Sequence, residues 1–576
     1  MTGSVWRTHV SLSVSLCATL LSLRLTYAQG ILGVDPSGRS GENPSLLPER
    51  SPAVAPGPVL PPLPQPSPRQ TPQLPLLRVF VRAIHVEGNT AFSDGELAKV
   101  TAPYLNRELT AEDLEELRVA LTRYYVERGY VTSGAIIPDQ TVTDGVITLR
   151  IVEGKLASID VEGNRWFRDG YIRSRLALGA GPPVNVYPLQ EQLQLLQQDG
   201  RIRRVNAELR PGVRPGEATL RVRVEEERPY RLVLGFNNYQ SPTVGAGRGF
   251  VTLLHQNVTG SGDTFGVTYG RSGGVDPLLD VRYALPLTAR ETLLTLQYRK
   301  NDFLVVEEPF APLDVESSSD IYAVTLSHPL LRTLKHECLV AVTGEHLRNA
   351  TFLLGEPFSF SAGAQKGKSV VTALRFSLEW LVRTQTQAFA ARSRFSLGLD
   401  ALGATNNRAG VADGQFFAWL GQFQWARRLG AWGLHTIFRL DVQLADAPLL
   451  ALEQIAVGGR YTVRGYRENT LVRDNGFVAS LEARLPVLRD RRWADYLEFA
   501  PFVDVGHAWN VRPPGVGPHT IAGIGLGLRW AVTLGSPWRW GPQLELYWGR
   551  PAREVRTVGG DLQDDGVHLQ LLVTAF

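Results

Sequence analysis

The sequence predicts a mainly β protein: a 16-stranded transmembrane antiparallel β-barrel preceded by two small α+β domains. Three observations predict it. Apolar and polar residues alternate with a period of two from Tyr230 to Phe576. Upstream, Val86-Glu-Gly-Asn89 recurs as Val161-Glu-Gly-Asn164, a repeat of about 75 residues. Beyond the N-terminal segment no apolar run is long enough for a membrane-crossing helix, although 44% of the 576 residues are hydrophobic.

Residues 1–28 read as a secretory signal. Arg7 and His9 give a weakly basic start, Val10 to Leu23 is mostly apolar, and Thr26-Tyr-Ala28 offers small residues for cleavage before Gln29. A membrane anchor is the competing reading; the shortness and serine content of the segment count against it. Cys17 lacks the small residues a lipid-attachment site needs before it. With the signal removed Cys338 is the only cysteine, so no internal disulfide forms and cysteine-based zinc sites are excluded. Residues 29–77 form a proline-rich linker, in which Pro61, Pro62 and the prolines from Pro64 to Pro75 favour extended, solvated chain. The net charge of +4 and pI near 9.0 come from scattered basic residues without an arginine-rich run. That pattern argues against nucleic acid and makes exported polypeptides or lipid headgroups the better candidate partners.

The two repeated units, 78–154 and 155–228, each read as β-α-α-β-β. In the first, Val79, Val81 and Ile84 to Val86 make a strand that Gly88-Asn89 turns. Thr110 with Asp113 three residues on is a capping-box start. Leu114, Leu117, Leu121 and Tyr124 keep one helical face until Gly129. Strands follow near 131–138 and 146–153 around an Asp144-Gly145 turn. In the second unit a helix over Leu189 to Gln198 ends at Gly200, and strands near 202–210 and 217–224 close it.

Residues 229–576 carry the barrel pattern. Leu434, Thr436, Phe438, Leu440 and Val442 share one face, against Ile437, Arg439, Asp441 and Gln443 on the other. A greasy outside and a polar or small inside fit a barrel in lipid. A large soluble β-sandwich would alternate too, but ten of the twelve tryptophans lie in this half, as interface girdles require. Sixteen strand candidates run from 230–238 to 566–576, including 319–328 and 335–346. Connections after even strands are mostly short. Several after odd strands are long: 303–318, 347–369, 445–475 and 549–565. Short periplasmic turns and long outer loops are the outer-membrane pattern. It makes 445–475 the sixth outer loop.

That loop carries Arg464 between Val463 and Gly465, followed by Tyr466. Alternation on the next two strands points Phe477, Ala479 and Leu481 outward and Ser480, Glu482 and Arg484 inward, then Glu498, Phe502 and Asp504 inward. Glu482 and Asp504 are therefore lumen carboxylates on adjacent strands. A guanidinium bonds a carboxylate through two parallel bonds, which lysine cannot copy. The expectation is a loop tucked into the lumen and pinned by Arg464 to Asp504, with Glu482 a second partner. A solvated loop arginine and an ordinary lumen acid would have the same spacing.

Taken together, Val463-Arg-Gly-Tyr466 and Phe502-Val-Asp504-Val-Gly506 resemble the loop-six and lumen-strand motifs of two-partner secretion B-type outer-membrane transporters (the ShlB/FhaC/HecB kind) within the barrel-assembly superfamily. The resemblance covers about 78–576. Tyr125-Val-Glu-Arg-Gly-Tyr130, Val131-Thr and Gly145 to Gly154 look like a first POTRA repeat, and Leu193 to Pro211 with Gly212 like a second. The resemblance implies a channel with two periplasmic POTRA domains that exports a large haemolysin- or adhesin-like exoprotein, and a monomer is expected. It implies that Arg464 and Asp504 hold the loop in its secretion-competent state. It also implies that Phe576 is an insertion signal read by the barrel-assembly machinery. The sequence departs from relatives that begin with a pore-plugging helix, because Gly33, Pro36, Gly38, Gly41, Pro44 and Pro48 disfavour one. An insertase of the same superfamily and a diffusion porin are the alternatives.

No catalytic, metal or cofactor site is expected. Gly270-Arg-Ser272-Gly-Gly274 has the spacing of a nucleophile elbow but sits in a hairpin loop rather than a strand-to-helix turn. Gly245-Ala-Gly-Arg-Gly249 has no helix after it to bind phosphate. The histidines, His328 and His336 among them, lack metal-ligand spacing.

Overall fold

The computed structural model describes residues 59–60, 78–408, 410–430, 433–512, 517–535, 539–555, 557 and 559–575. The signal segment, most of the linker and Phe576 lie outside the described residues. The chain divides into two compact units, Ala55–Glu227 and one holding Arg228–Phe576.

The first unit contains two α+β modules. Module one runs β1 (Arg78–Val81), β2 (Ala83–Glu87), α1 (Asp94–Thr101), β3 (Arg107–Thr110), α2 (Ala111–Glu127), β4 (Gly134–Ile136) and β5 (Val146–Val152). Its main sheet has the order β2-β5-β4, with β2 parallel to β5. The single first strand expected from sequence is instead two. The chain breaks at Arg82, whose N–H donates to the Gly145 carbonyl at 2.7 Å, and β1 turns away to pair with β3. Helix α2 starts on the reciprocal Thr110–Asp113 capping box. Leu117, Leu121 and Tyr125 are its fully buried residues, and Leu114 and Tyr124 pack half-buried against the same core. The Tyr125 hydroxyl donates to Glu153 at 3.0 Å.

Module two runs β6 (Lys155–Glu162), α3 (Asp169–Ala177), α4 (Val186–Gln198), β7 (Ile202–Pro211) and β8 (Glu217–Glu226), with the sheet order β6-β8-β7. Leu189, Leu193 and Leu196 of α4 close its core against Leu220, Val222 and Val224. Val59 and Leu60 of the linker pack on the same core, and the Leu60 N–H donates to Gln190 Oε1 at 2.8 Å.

The repeated tetrapeptide does the same work twice. Gly88 (φ 82°) and Gly163 (φ 81°) turn the chain where a Cβ would lie 2.6 Å from the Ile151 carbonyl and 2.5 Å from the Val224 carbonyl. Asn89 and Asn164 then donate to the carbonyls of Phe92 and Phe167 at 3.1 and 2.8 Å. A carboxylate at the end of each sheet receives the next N–H groups: Glu153 from Thr90 and Ala91, Glu226 from Trp166 and Phe167.

The second unit is a closed antiparallel barrel of sixteen strands. They are β9 (Tyr230–Asn237), β10 (Arg248–His255), β11 (Thr264–Arg271), β12 (Val275–Pro286), β13 (Leu293–Leu304), β14 (Val315–Arg332), β15 (His336–Leu353) and β17 (Lys368–Arg383), then β18 (Gln387–Leu399), β19 (Phe417–Leu429), β20 (Leu434–Ala445), β23 (Asn475–Arg491), β24 (Ala494–Trp509), β25 (Thr520–Ala531), β26 (Trp540–Pro551) and β27 (Val567–Ala575). A two-residue strand β16 (Glu356–Pro357) sits outside this count, on β15. β27 pairs antiparallel with β9 and closes the ring. Leu296, Val324, Phe376, Leu378, Val503 and Leu526 face outward, and Arg299, Glu345, Arg375, Asp441 and Gln443 face inward.

Several strands run further than the sequence pattern indicates. β14 and β15 each hold 18 residues, so the connection expected at 303–318 shrinks to 305–314. Polar pairing extends the ladder past the greasy band: Asn349 Nδ2 donates to Ser317 Oγ at 2.7 Å and Ser319 Oγ at 2.8 Å.

Gly163→Val is expected to destabilise module two by about 1–3 kcal/mol, because it forces a branched side chain into a left-handed turn against backbone. Limited proteolysis of the detergent-solubilised full chain should cut faster within 155–228 while the barrel stays resistant. An unchanged cleavage rate would count against this account of the repeat.

Candidate functional site: a loop latched inside the barrel

Loop six (446–474) leaves β20 and forms a small hairpin of β21 (Ile455–Val457) and β22 (Leu471–Arg473). It is a folded insert. Ile455, Val457, Val463, Tyr466 and Leu471 cluster with Val478, Ala508 and Ile521 of the inner wall. The sequence pattern promised a wet lumen; along β23 to β25 the loop fills it with a dry core instead.

Arg464 lies at the tip with its side chain 3% exposed. Its Nε and Nη2 donate to the two oxygens of Asp504 at 2.7 and 2.8 Å, and its backbone N–H donates to the same carboxylate at 3.0 Å. Nη1 pairs with Glu482, and Nη2 also reaches Ser480 Oγ at 3.2 Å. Asp504 and Ser480 are directly opposite on β24 and β23, so strand pairing itself sets two partners side by side. Phe502 lies beneath, its ring centre 3.6 Å from the guanidinium carbon, which adds a cation–π attraction. Burying these charges is costly, and the fork geometry with further donors offsets that cost.

The other motif residues make the approach possible. A Cβ on Gly465 (φ 94°) would stand 3.0 Å from the Gly549 backbone. A Cβ on Gly523 would stand 2.0 Å from the Arg464 carbonyl, and one on Gly506 would stand 2.3 Å from Val457. The wall is notched with glycine where the tip rests. The Tyr466 hydroxyl is 2.9 Å from the Arg553 carbonyl and 3.0 Å from that of Ala522. The structure thus gathers Val463, Arg464, Gly465, Tyr466, Glu482, Phe502, Asp504 and Gly506 in one place.

Sequence reasoning missed further ties of the same loop. Arg460 donates to Glu545 at 2.7 Å and lies 3.9 Å over the Tyr547 ring. Glu453 receives both Nη groups of Arg375 at 3.0 and 2.7 Å, and Arg375 also donates to Glu345 at 2.6 Å. Isolated charges at inward strand positions were the available signal: Arg375, Glu345 and Glu545 each break a polar or small face. Of the motif that mimics a nucleophile elbow, Ser272 donates to the Val244 carbonyl at 2.8 Å in a hairpin connection.

A sixteen-stranded barrel with its sixth loop folded against the inner wall, following two small α+β modules, has the architecture of an outer-membrane transporter. A family model described as haemolysin secretion/activation protein ShlB/FhaC/HecB matches residues 216–530, and a ShlB-type POTRA model matches 79–154. The chain belongs to this family of two-partner secretion transporters of the outer membrane. It is 25% identical over 408 residues to the outer membrane transporter CdiB of Escherichia coli, covering 69% of this chain and 67% of that one. To CdiB of Dickeya dadantii it is 23% identical over 476 residues, covering 80% of each. The fold is similar to solved CdiB from Escherichia coli, with a TM-score of 0.65, 20% identity and coverage of 99% of this chain and 100% of that one.

Asp504→Ala leaves a buried guanidinium with half its compensation, a loss of about 3–5 kcal/mol. In a Cys338→Ser background, a cysteine replacing Ser480 should then react faster with a membrane-impermeant thiol reagent. Arg464→Lys should behave like Asp504→Ala, since an ammonium cannot fork. Wild-type reactivity in both would argue against the latch.

Proposed function

We propose that this transporter exports a large, unfolded exoprotein from periplasm to cell surface through the barrel lumen, with loop six as its gate. The observation that carries the reading is the loop itself. It occupies the path a polypeptide would take, and reversible ion pairs and close packing hold it there. Arg464, Asp504 and Glu482 are the latch; Phe502 and Gly506 shape its seat; Val463, Gly465 and Tyr466 fit the tip to the wall.

Residues 78–154 and 155–228 are the periplasmic docking domains. β4 and β7 are edge strands of their three-stranded sheets, and an extended cargo segment can add to such an edge through backbone bonds that tolerate many sequences. The signal at 1–28 directs export to the periplasm, and the proline-rich segment 29–77 leads from it to the docking domains. Phe576 serves recognition by the barrel-assembly machinery. The transporter acts as a monomer, without cofactor or catalysis, and folding of the exoprotein outside the cell draws it through.

Arg464→Ala should cut secretion of the partner exoprotein by about tenfold, because the loop loses the seated register on Asp504 from which the cargo displaces it and a misplaced loop obstructs the path, with the barrel inserted at its normal level. Normal export from a normally inserted variant would end the gate reading. Depletion of the transporter should leave other outer-membrane barrels unchanged, and a broad loss of them would favour an insertase.

A further inference from the structure

Arg467, three residues beyond the latch, has its side chain 14% exposed. Its Nε and Nη2 donate to the two oxygens of Asp564 at 2.5 and 2.7 Å, and its Nη1 donates to Glu307 at 2.6 Å. Asp564 belongs to the connection 552–566 between β26 and β27, and Glu307 to 305–314 between β13 and β14. The second oxygen of Glu307 accepts from Thr243 Oγ1 at 3.1 Å, in the connection 238–247. Val306 N–H donates to the Thr243 carbonyl at 2.9 Å. Gln563, beside Asp564, donates to the carbonyls of Asn238 and Gln240 at 2.5 and 2.7 Å and accepts from the Glu468 N–H at 2.8 Å. One cation thus ties loop six to two other outer loops, and its neighbours bring in a third.

We infer that Arg467 is a positioning residue for export: an outer clasp that draws the loops at 238–247, 305–314 and 552–566 onto loop six and shuts the mouth independently of Arg464. The inference rests on loop six being the gate. Arg464 bonds strands β23 and β24, whereas Arg467 bonds outer loops, and the two share no partner. Ties without shared partners contribute nearly additively as long as losing one does not shift the backbone that carries the other. Each therefore multiplies the closed-to-open ratio.

The chemistry sets the sign. Two carboxylates converge on one guanidinium, so neutralising the arginine leaves like charges facing each other and pushes the loops apart. The hydrogen bond from Arg467 holds the Asp564 carboxyl below its ordinary range, so the clasp stays charged in mildly acid surroundings. Its partial exposure leaves it open to screening by salt, unlike the buried latch.

Single-channel recording of the full-length protein in planar lipid bilayers tests this, with Arg467→Gln, Arg464→Ala, their combination, and the exchange Arg467→Asp with Asp564→Arg. Arg467→Gln should raise the open-to-closed ratio by about tenfold, and the combination should give roughly the product of the single effects. The exchange should restore part of the closure, which a merely space-filling role would not allow. Raising salt should favour opening in the wild type and not in Arg467→Gln. The clasp is overturned if Arg467→Gln matches the wild type while Arg464→Ala opens the pore, an outcome that leaves the gate reading intact. It is also overturned if the combination is no more open than Arg464→Ala alone. If neither arginine variant changes conductance or export, the gate reading fails with it.

Discussion

A guanidinium sealed away from water must keep its counter-charges, and the pore depends on that constraint. Arg464 is covered on one side by Phe502 and gripped on the other by Asp504 and Glu482. Asp504 is fixed by strand pairing, so the arginine must come to it, and the loop that carries the arginine must enter the barrel. The hairpin within loop six, its apolar cluster and the glycine-lined wall all serve that approach. Neighbouring pairs extend the pattern: Arg484 with Glu482, and Arg529 with Glu545, keep the surrounding carboxylates matched. A neutral wall would hold the loop by packing alone. A charged one also fixes its register, because a shifted loop would strand an ion.

The same economy appears in the periplasmic modules, in backbone rather than charge. The turn glycine, the asparagine that caps the following bend and the carboxylate that collects the free N–H groups recur in both modules with the same partners. The tetrapeptide repeats because a tight turn against the central strand of a small sheet has few solutions. The helices differ more freely, since many apolar combinations cover three strands.

Much of this was legible in the sequence, for physical reasons that also mark where reading stopped. A period of two assigns each strand residue to lipid or lumen, so the inward aim of Glu482, Phe502 and Asp504 followed from parity alone. The loop-six arginine was legible because glycine and aromatic neighbours set it apart. Arg460 and Glu453 were not, because loop residues have no period and their partners Glu545 and Arg375 lie on strands far from them in sequence. Strand ends were missed where Ser317, Ser319 and Asn349 continue the ladder with hydrogen bonds rather than apolar contrast. The break at Arg82 was hidden because the residues on both sides favour strands, and only the Gly145 carbonyl shows where one sheet ends.

The apolar cluster shared by loop six and the barrel wall has a consequence for what travels through. In the proposed export step, a withdrawn hairpin would uncover Val478, Ala508 and Ile521 on three consecutive strands. A chain threading past would meet a slick, water-averse lane beside the Asp504 carboxylate that Arg464 has left, instead of a uniformly hydrated tube. Such a lining suits an unstructured passenger, whose greasy and basic stretches could each find brief footholds as it slides outward.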